Sequence, residues 1–111
     1  MRVRLTRRLT LETQVRTPDG GGGGRLSWVA LGTLWAEIAP TAGSEKAGPA
    51  STQSAVTCRI TVRAAKPGAP SRPRADQRFR EGDRIFAIRA VTEADPRGRY
   101  LTCYAVEETR S

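Results

Sequence analysis

The 111-residue chain is long enough for one domain but leaves much of its surface exposed, so contacts with other copies or with partners would add to its stability. Nineteen Lys and Arg against eleven Asp and Glu give a net charge of +8; only Lys46 and Lys66 are lysines, and the arginines suit phosphates and buried protein interfaces equally well. The absence of histidine removes the usual acid–base group at neutral pH, and two cysteines are too few for a structural zinc, which takes four Cys or His ligands.

The basic start, Met1 to Arg8, runs into Leu9-Thr10-Leu11-Glu12 rather than a continuous apolar core, which argues against a secretory signal. Arg8 to Val15 predicts a first strand, with Leu9, Leu11, Thr13 and Val15 on one side and Thr10, Glu12 and Gln14 on the other. Thr17-Pro18-Asp19-Gly20 and the glycines to Gly24 predict a mobile hairpin tip. In Leu26 to Pro40, Leu34, Ala36 and Ile38 oppose Trp35 and Glu37, and Pro40 closes the run. Trp28 fits a lead-in turn or short strand. Trp35 fits the core or, with Glu37, a neighbouring subunit, the core being the simpler reading because aromatic residues supply much of the burial in small domains. This stretch is interrupted by Ser27, Gly32, Thr33 and Glu37 and falls short of the roughly 20 apolar residues a membrane span needs. The sequence therefore points to the cytoplasm or a particle assembled there.

Thr41 to Ser54 lacks any apolar period and reads as a long loop. Ala55 to Arg63 alternates again, with Val56, Cys58, Ile60 and Val62 facing the core and Thr57, Arg59, Thr61 and Arg63 facing water. Lys66 to Arg74, with Pro67, Pro70 and Pro73, predicts an extended connection, and Ala75 to Phe79 a short turn of helix or strand. Glu81-Gly82-Asp83 marks a turn into a strand from Arg84 to Val91, and Asp95-Pro96-Arg97-Gly98 a turn into Arg99 to Glu107. The pattern predicts a single all-β domain over 1–111: a small barrel or sandwich of five to six mostly antiparallel strands, with flexible loops near 17–25, 41–54 and 66–75.

The chemistry of catalysis is missing from this pattern. The serines have no nucleophile-elbow context and the carboxylates fall in turns or on polar strand faces, so no enzyme activity is expected. The glycine run lacks the Gly-Lys-Ser or Gly-Lys-Thr of a phosphate-binding loop. Cys58 and Cys103 read as buried thiols, with a disulfide left open. Arginines gather at Arg2, Arg4, Arg7 and Arg8 and again from Arg59 to Arg84, which fits a basic face, but aromatic residues suited to stacking single strands are few.

Four stretches in order resemble the phage head–tail joining proteins, the head-completion or stopper group of long-tailed phages, prophages and gene transfer agents. They are Arg7-Arg8-Leu9-Thr10-Leu11-Glu12 with its Thr-Pro-Asp-Gly turn; Trp28 with Leu34-Trp35-Ala36-Glu37-Ile38-Ala39-Pro40; Thr57 to Arg63; and Gly82 to Val91 with Arg99 to Cys103. The resemblance covers about Leu5 to Glu108, while the glycine run and the Lys66 to Arg74 connection depart from the family pattern. It implies a virion protein forming a homo-oligomeric ring of six or twelve copies in the neck, while composition leaves no cofactor or metal expected. Its implied neighbours are a portal-adaptor protein and a tail terminator or tail tube protein, with double-stranded DNA passing through the lumen and no membrane. It also implies a channel loop in 41–54, represented by Gly43, Ser44, Glu45, Lys46 and Gln53. Arg7, Arg8, Trp35, Glu37, Arg59 and Arg63 are the expected subunit or partner interface. The competing readings are an adaptor or tail-terminator role in the same particle and a free-standing basic nucleic-acid-binding β-barrel.

Overall fold

The computed structural model describes residues 2–41 and 55–108. Within them lie six strands: β1 (Arg7–Pro18), β2 (Gly24–Pro40), β3 (Ala55–Arg63), β4 (Arg78–Glu81), β5 (Arg84–Glu93) and β6 (Tyr100–Glu108). All pairings are antiparallel, in the order β1-β2-β3-β6-β5-β4, and β4 pairs back onto β1 through Thr10↔Arg80, Leu11↔Phe79 and Glu12↔Arg78. The sheet thus closes into a barrel, which decides between the barrel and the sandwich.

Alternation accounts for the interior. Leu9 and Leu11 of β1, Ala36 of β2, Cys58, Ile60 and Val62 of β3, Phe79 of β4, Phe86 and Ile88 of β5, and Leu101, Cys103 and Ala105 of β6 are buried together. Trp35 alternates out of this set and is 56% exposed, which overturns the core reading of that residue. Its apolar surface stays outside because Leu34, Ala36 and Ile38 already take the inner positions of β2. Trp28 lies within β2, not in a lead-in turn.

Two residues have no opposite number in the ladders. Leu11 faces Gly32 and Glu12 faces Ala30, leaving Leu31 as a bulge in β2; Ile88 faces Ala105 and Ala90 faces Tyr104, leaving Arg89 as a bulge in β5. Gly32, at φ +151°, supplies the backbone conformation that the first bulge requires. Beyond it, β1 and β2 stay paired as far as Pro18↔Gly24, so the hairpin tip is confined to Asp19–Gly23 and the strands form a two-stranded ribbon past the barrel. Within the tip the Asp19 carboxylate accepts the Gly21 N–H.

Both ends of the barrel are filled. At the end where β1, β3 and β5 begin, the inner positions of four strands carry Arg7, Glu81, Arg84 and Glu107, linked as described below. At the other end the segment between β3 and β4 crosses the mouth. Pro73 is fully buried there, Arg72 Nη1 donates to the Ala65 carbonyl at 2.8 Å, and Ile88 N–H donates to the Gln77 carbonyl. The space left between Leu11, Leu34 and Pro70 is about 30 Å³, room for a water, and an open surface cleft of about 390 Å³ lies at the same end between Ala64, Pro67, Arg72, Glu93 and Leu101.

Candidate interaction surface

The first charged cluster closes the barrel. Arg7 Nε and Nη2 donate to Glu81 Oε2 and Oε1 at 2.8 and 2.6 Å, and Arg84 Nε and Nη2 donate to Glu107 Oε2 and Oε1 at 2.7 and 3.0 Å. Arg84 Nη1 also lies 3.6 Å from Glu81, joining the two bidentate pairs into a chain of four charges. The hydrogen bonds from Arg7 and Arg84 hold the Glu81 and Glu107 carboxyls below the usual range, and the same bonds raise the two arginines.

A second cluster lies on the outer face. Glu12 is buried although it points away from the core, with Arg78 Nε at 2.6 Å and Arg80 Nη1 at 3.6 Å, and the Arg78 guanidinium sits 4.1 Å from the centre of the Trp28 ring. This grouping is not legible in the sequence, because the carboxylate, the indole and the arginines come from three strands, and β4 reaches β1 only through closure of the sheet.

The outer face of β1, β2, β3 and β6 is organised by register into three transverse rows. In the first, Arg8 faces Trp35 and Arg63 faces Tyr100, and the pairing of Ala36 with Val62 carries Trp35 to the side of Arg63. The second runs Glu37, Thr61, Thr102, Thr92. The third runs Ala39, Arg59, Tyr104, Ala90, with bulged Arg89 beside it. Thr61 and Thr102 face outward yet are only 7% and 9% exposed, so the middle row is the floor of a shallow groove walled by longer side chains.

Of the predicted interface residues, Arg8, Trp35, Glu37, Arg59 and Arg63 are brought together on this face. Arg7 is not: it is at the barrel end, committed to Glu81. Glu37 accepts the Arg4 N–H at 3.2 Å. Gly43, Ser44, Glu45, Lys46 and Gln53, the predicted channel loop, lie outside the described residues. Tyr104 and Arg89 complete the face and were not among the predicted interface residues; alternation from Ile88 already turns Arg89 outward, and the bulge brings Ala90 to the same side.

Cys58 and Cys103 are unpaired and buried; burial raises both thiols, that of Cys103 to about 12. They are inert at neutral pH. Among the described residues no group of three His, Cys, Asp or Glu is placed to hold a metal, and no helix is long and apolar enough to cross a membrane.

A closed six-stranded barrel in which these outer rows are the accessible chemistry matches one family model, that of the phage head completion protein, over residues 1–108. The chain belongs to the phage head completion protein family. As a head completion protein it is a structural component of a phage or gene transfer agent virion. A chain in the virion of a native gene transfer agent particle is 54% identical to it, with a TM-score of 0.85 over 99% of this chain and 100% of that one. A Shigella flexneri 2a protein whose structure was determined in solution shares the fold, at 24% identity and a TM-score of 0.69, over 97% of this chain and 96% of its own. No curated protein matches this head completion protein significantly.

Proposed function

We propose that this head completion protein forms a ring of six or twelve copies between the portal adaptor and the tail, helps to retain packaged DNA and offers the tail its attachment surface. The observation that carries this reading is the filling of the barrel at both ends. A subunit whose interior is closed by Arg7–Glu81–Arg84–Glu107 and by Pro73 passes nothing through itself, so a DNA path requires several copies around a shared lumen. The β1–β2 ribbon supports the same reading. It exposes Leu26, Val29 and Leu31, and a two-stranded ribbon with free edges is marginal in water until something packs on it. A neighbouring copy is the simplest cover.

Retention of DNA is assigned to residues 41–54, on the resemblance and on their composition. Glu45 and Lys46 leave that segment close to neutral, which suits a steric gate past which DNA later slides.

Native mass spectrometry of the full chain, alone and with its portal-adaptor protein, tests the ring. Six or twelve copies on the adaptor is the expected result, and a persistent monomer that ignores the adaptor overturns it. Deleting Gly43 to Gln53 tests the gate: particles are expected to lose DNA or fail to join tails, and full heads with normal tails count against it.

A further inference from the structure

We infer that the outer groove of β2, β3 and β6 docks a carboxylate-rich segment of a different virion protein, and not a second copy of this chain. The inference rests on the proposed function only for the choice of partner proteins to test.

The composition of the groove walls is that of a protein-binding hot spot. Trp35, Arg63 and Tyr100 stand on one side and Arg59 and Tyr104 on the other, and tryptophan, tyrosine and arginine are the residues that carry most of the energy in such contacts. The two wall rows are four residues apart along the strands, about 14 Å, enough for one helix or extended segment above the threonine floor. Partly exposed Trp35 and Tyr104 give that segment apolar anchors.

Charge selects the occupant. Arg8, Arg59, Arg63 and Arg89 have no carboxylate partner among the described residues. A second copy has little acid to offer them. Its Glu12, Glu81, Asp95 and Glu107 are held by their own arginines, Glu37 by the Arg4 N–H and Asp19 by the Gly21 N–H, while Asp76 lies 3.9 Å from Arg74. Of the other carboxylates, Asp83, Glu93 and Glu108 are scattered over a turn and two strand ends, and Glu45 lies outside the described residues. Nucleic acid fits less well than protein. Glu37 heads the groove floor, where it repels an unbroken run of phosphates, whereas a protein segment can set an uncharged or basic residue against it and direct its carboxylates to the arginine walls.

The test uses the intact chain and the charge-reversed variant Arg59→Glu/Arg63→Glu, both side chains being exposed and outside the core. The probes are the portal-adaptor protein, the tail terminator protein, a poly-glutamate peptide and a short duplex DNA. The intact chain is expected to bind one of the two proteins with an affinity that falls as salt rises, and poly-glutamate should compete. The variant is expected to bind that protein about tenfold or more weakly, while its melting temperature and its native mass alone stay unchanged. Equal binding by the variant overturns the inference, as does failure of the intact chain to bind either protein or poly-glutamate. A variant that loses self-assembly but keeps its protein partner gives the face to a second copy, and preference for the duplex over both proteins gives it to DNA; both overturn it. A chain that stays monomeric yet shows arginine-dependent docking sinks the ring and leaves this inference standing.

Discussion

Glu12 shows how a single residue can be legible in its strand and illegible in its role. Its place opposite Leu9 and Leu11 in the alternation is correct, and the expectation of a solvated carboxylate follows from that place. The structure covers it instead with Arg78 and Arg80, and Trp28 in turn covers Arg78. Removing one member of a mostly buried ion pair leaves the other without compensation. Glu12→Ala is therefore expected to cost about 2–3 kcal/mol in urea denaturation, and a loss below about 0.5 kcal/mol would show that water satisfies Arg78 equally well. The barrel-end carboxylates give a pH dependence. The Arg7 and Arg84 hydrogen bonds depress Glu81 and Glu107, so their contribution is whole above the unfolded value of about 4.3 and is lost as pH falls through the lower folded values. Thermal melts should hold steady from neutral pH to about 5 and then decline. The Glu81→Gln/Glu107→Gln variant should start lower and decline less steeply; an unchanged slope would move the acid sensitivity to other groups.

At the scale of elements, β1, β2, β3, β5 and β6 were readable because each presents period-two alternation bounded by Gly, Pro or Asp, whereas β4 was not, since Ala75 to Phe79 reads equally as a short turn of helix or strand. Strand lengths and bulges were not readable either. Gly32 inside an alternating run is the one mark of irregularity in Ala30-Leu31-Gly32, but which residue is left unpaired depends on what Leu11 and Glu12 find opposite them. The ribbon was hidden for the same reason: Thr17, Pro18, Gly24 and Arg25 look like a turn in sequence, yet cross-strand pairing carries them as strand. Gly32 is where the element concentrates its strain. A Cβ there meets nothing within 4 Å, so the cost of substitution comes from φ +151° alone. Gly32→Ala is expected to lower stability by about 1–3 kcal/mol in spite of the open space, measured by urea denaturation. A neutral result would mean that the bulge relaxes to an ordinary backbone conformation.

For the whole molecule, closure hinges on four residues. Barrel and sandwich have the same alternation, and the sequence left both open; the choice is made by β4, which pairs with β5 through Arg78↔Ala87 to Glu81↔Arg84 and with β1 through Thr10 to Glu12. A short Arg-Phe-Arg-Glu strand carries little signal of that double role, although Phe79 and Phe86 face each other at the centre of the core. Once closed, the barrel has no free edge of its own and transfers its unpaired backbone to the ribbon. It also encloses both thiols behind filled ends. Cys103 opposes Ile60 and Cys58 opposes Ala105, one step apart on β3 and β6, with Arg84 and Glu107 among the charges acting on Cys58. A thiol reagent can reach them only when the barrel opens as a unit. Both are thus expected to resist an aromatic disulfide reagent at neutral pH in the native state and to react at the rate of global opening, with equal sensitivity to urea. Rapid labelling of one cysteine per chain without urea would show that an end of the barrel opens by itself. Loss of that labelling difference in the Glu81→Gln/Glu107→Gln variant would identify the charged end as the one that holds.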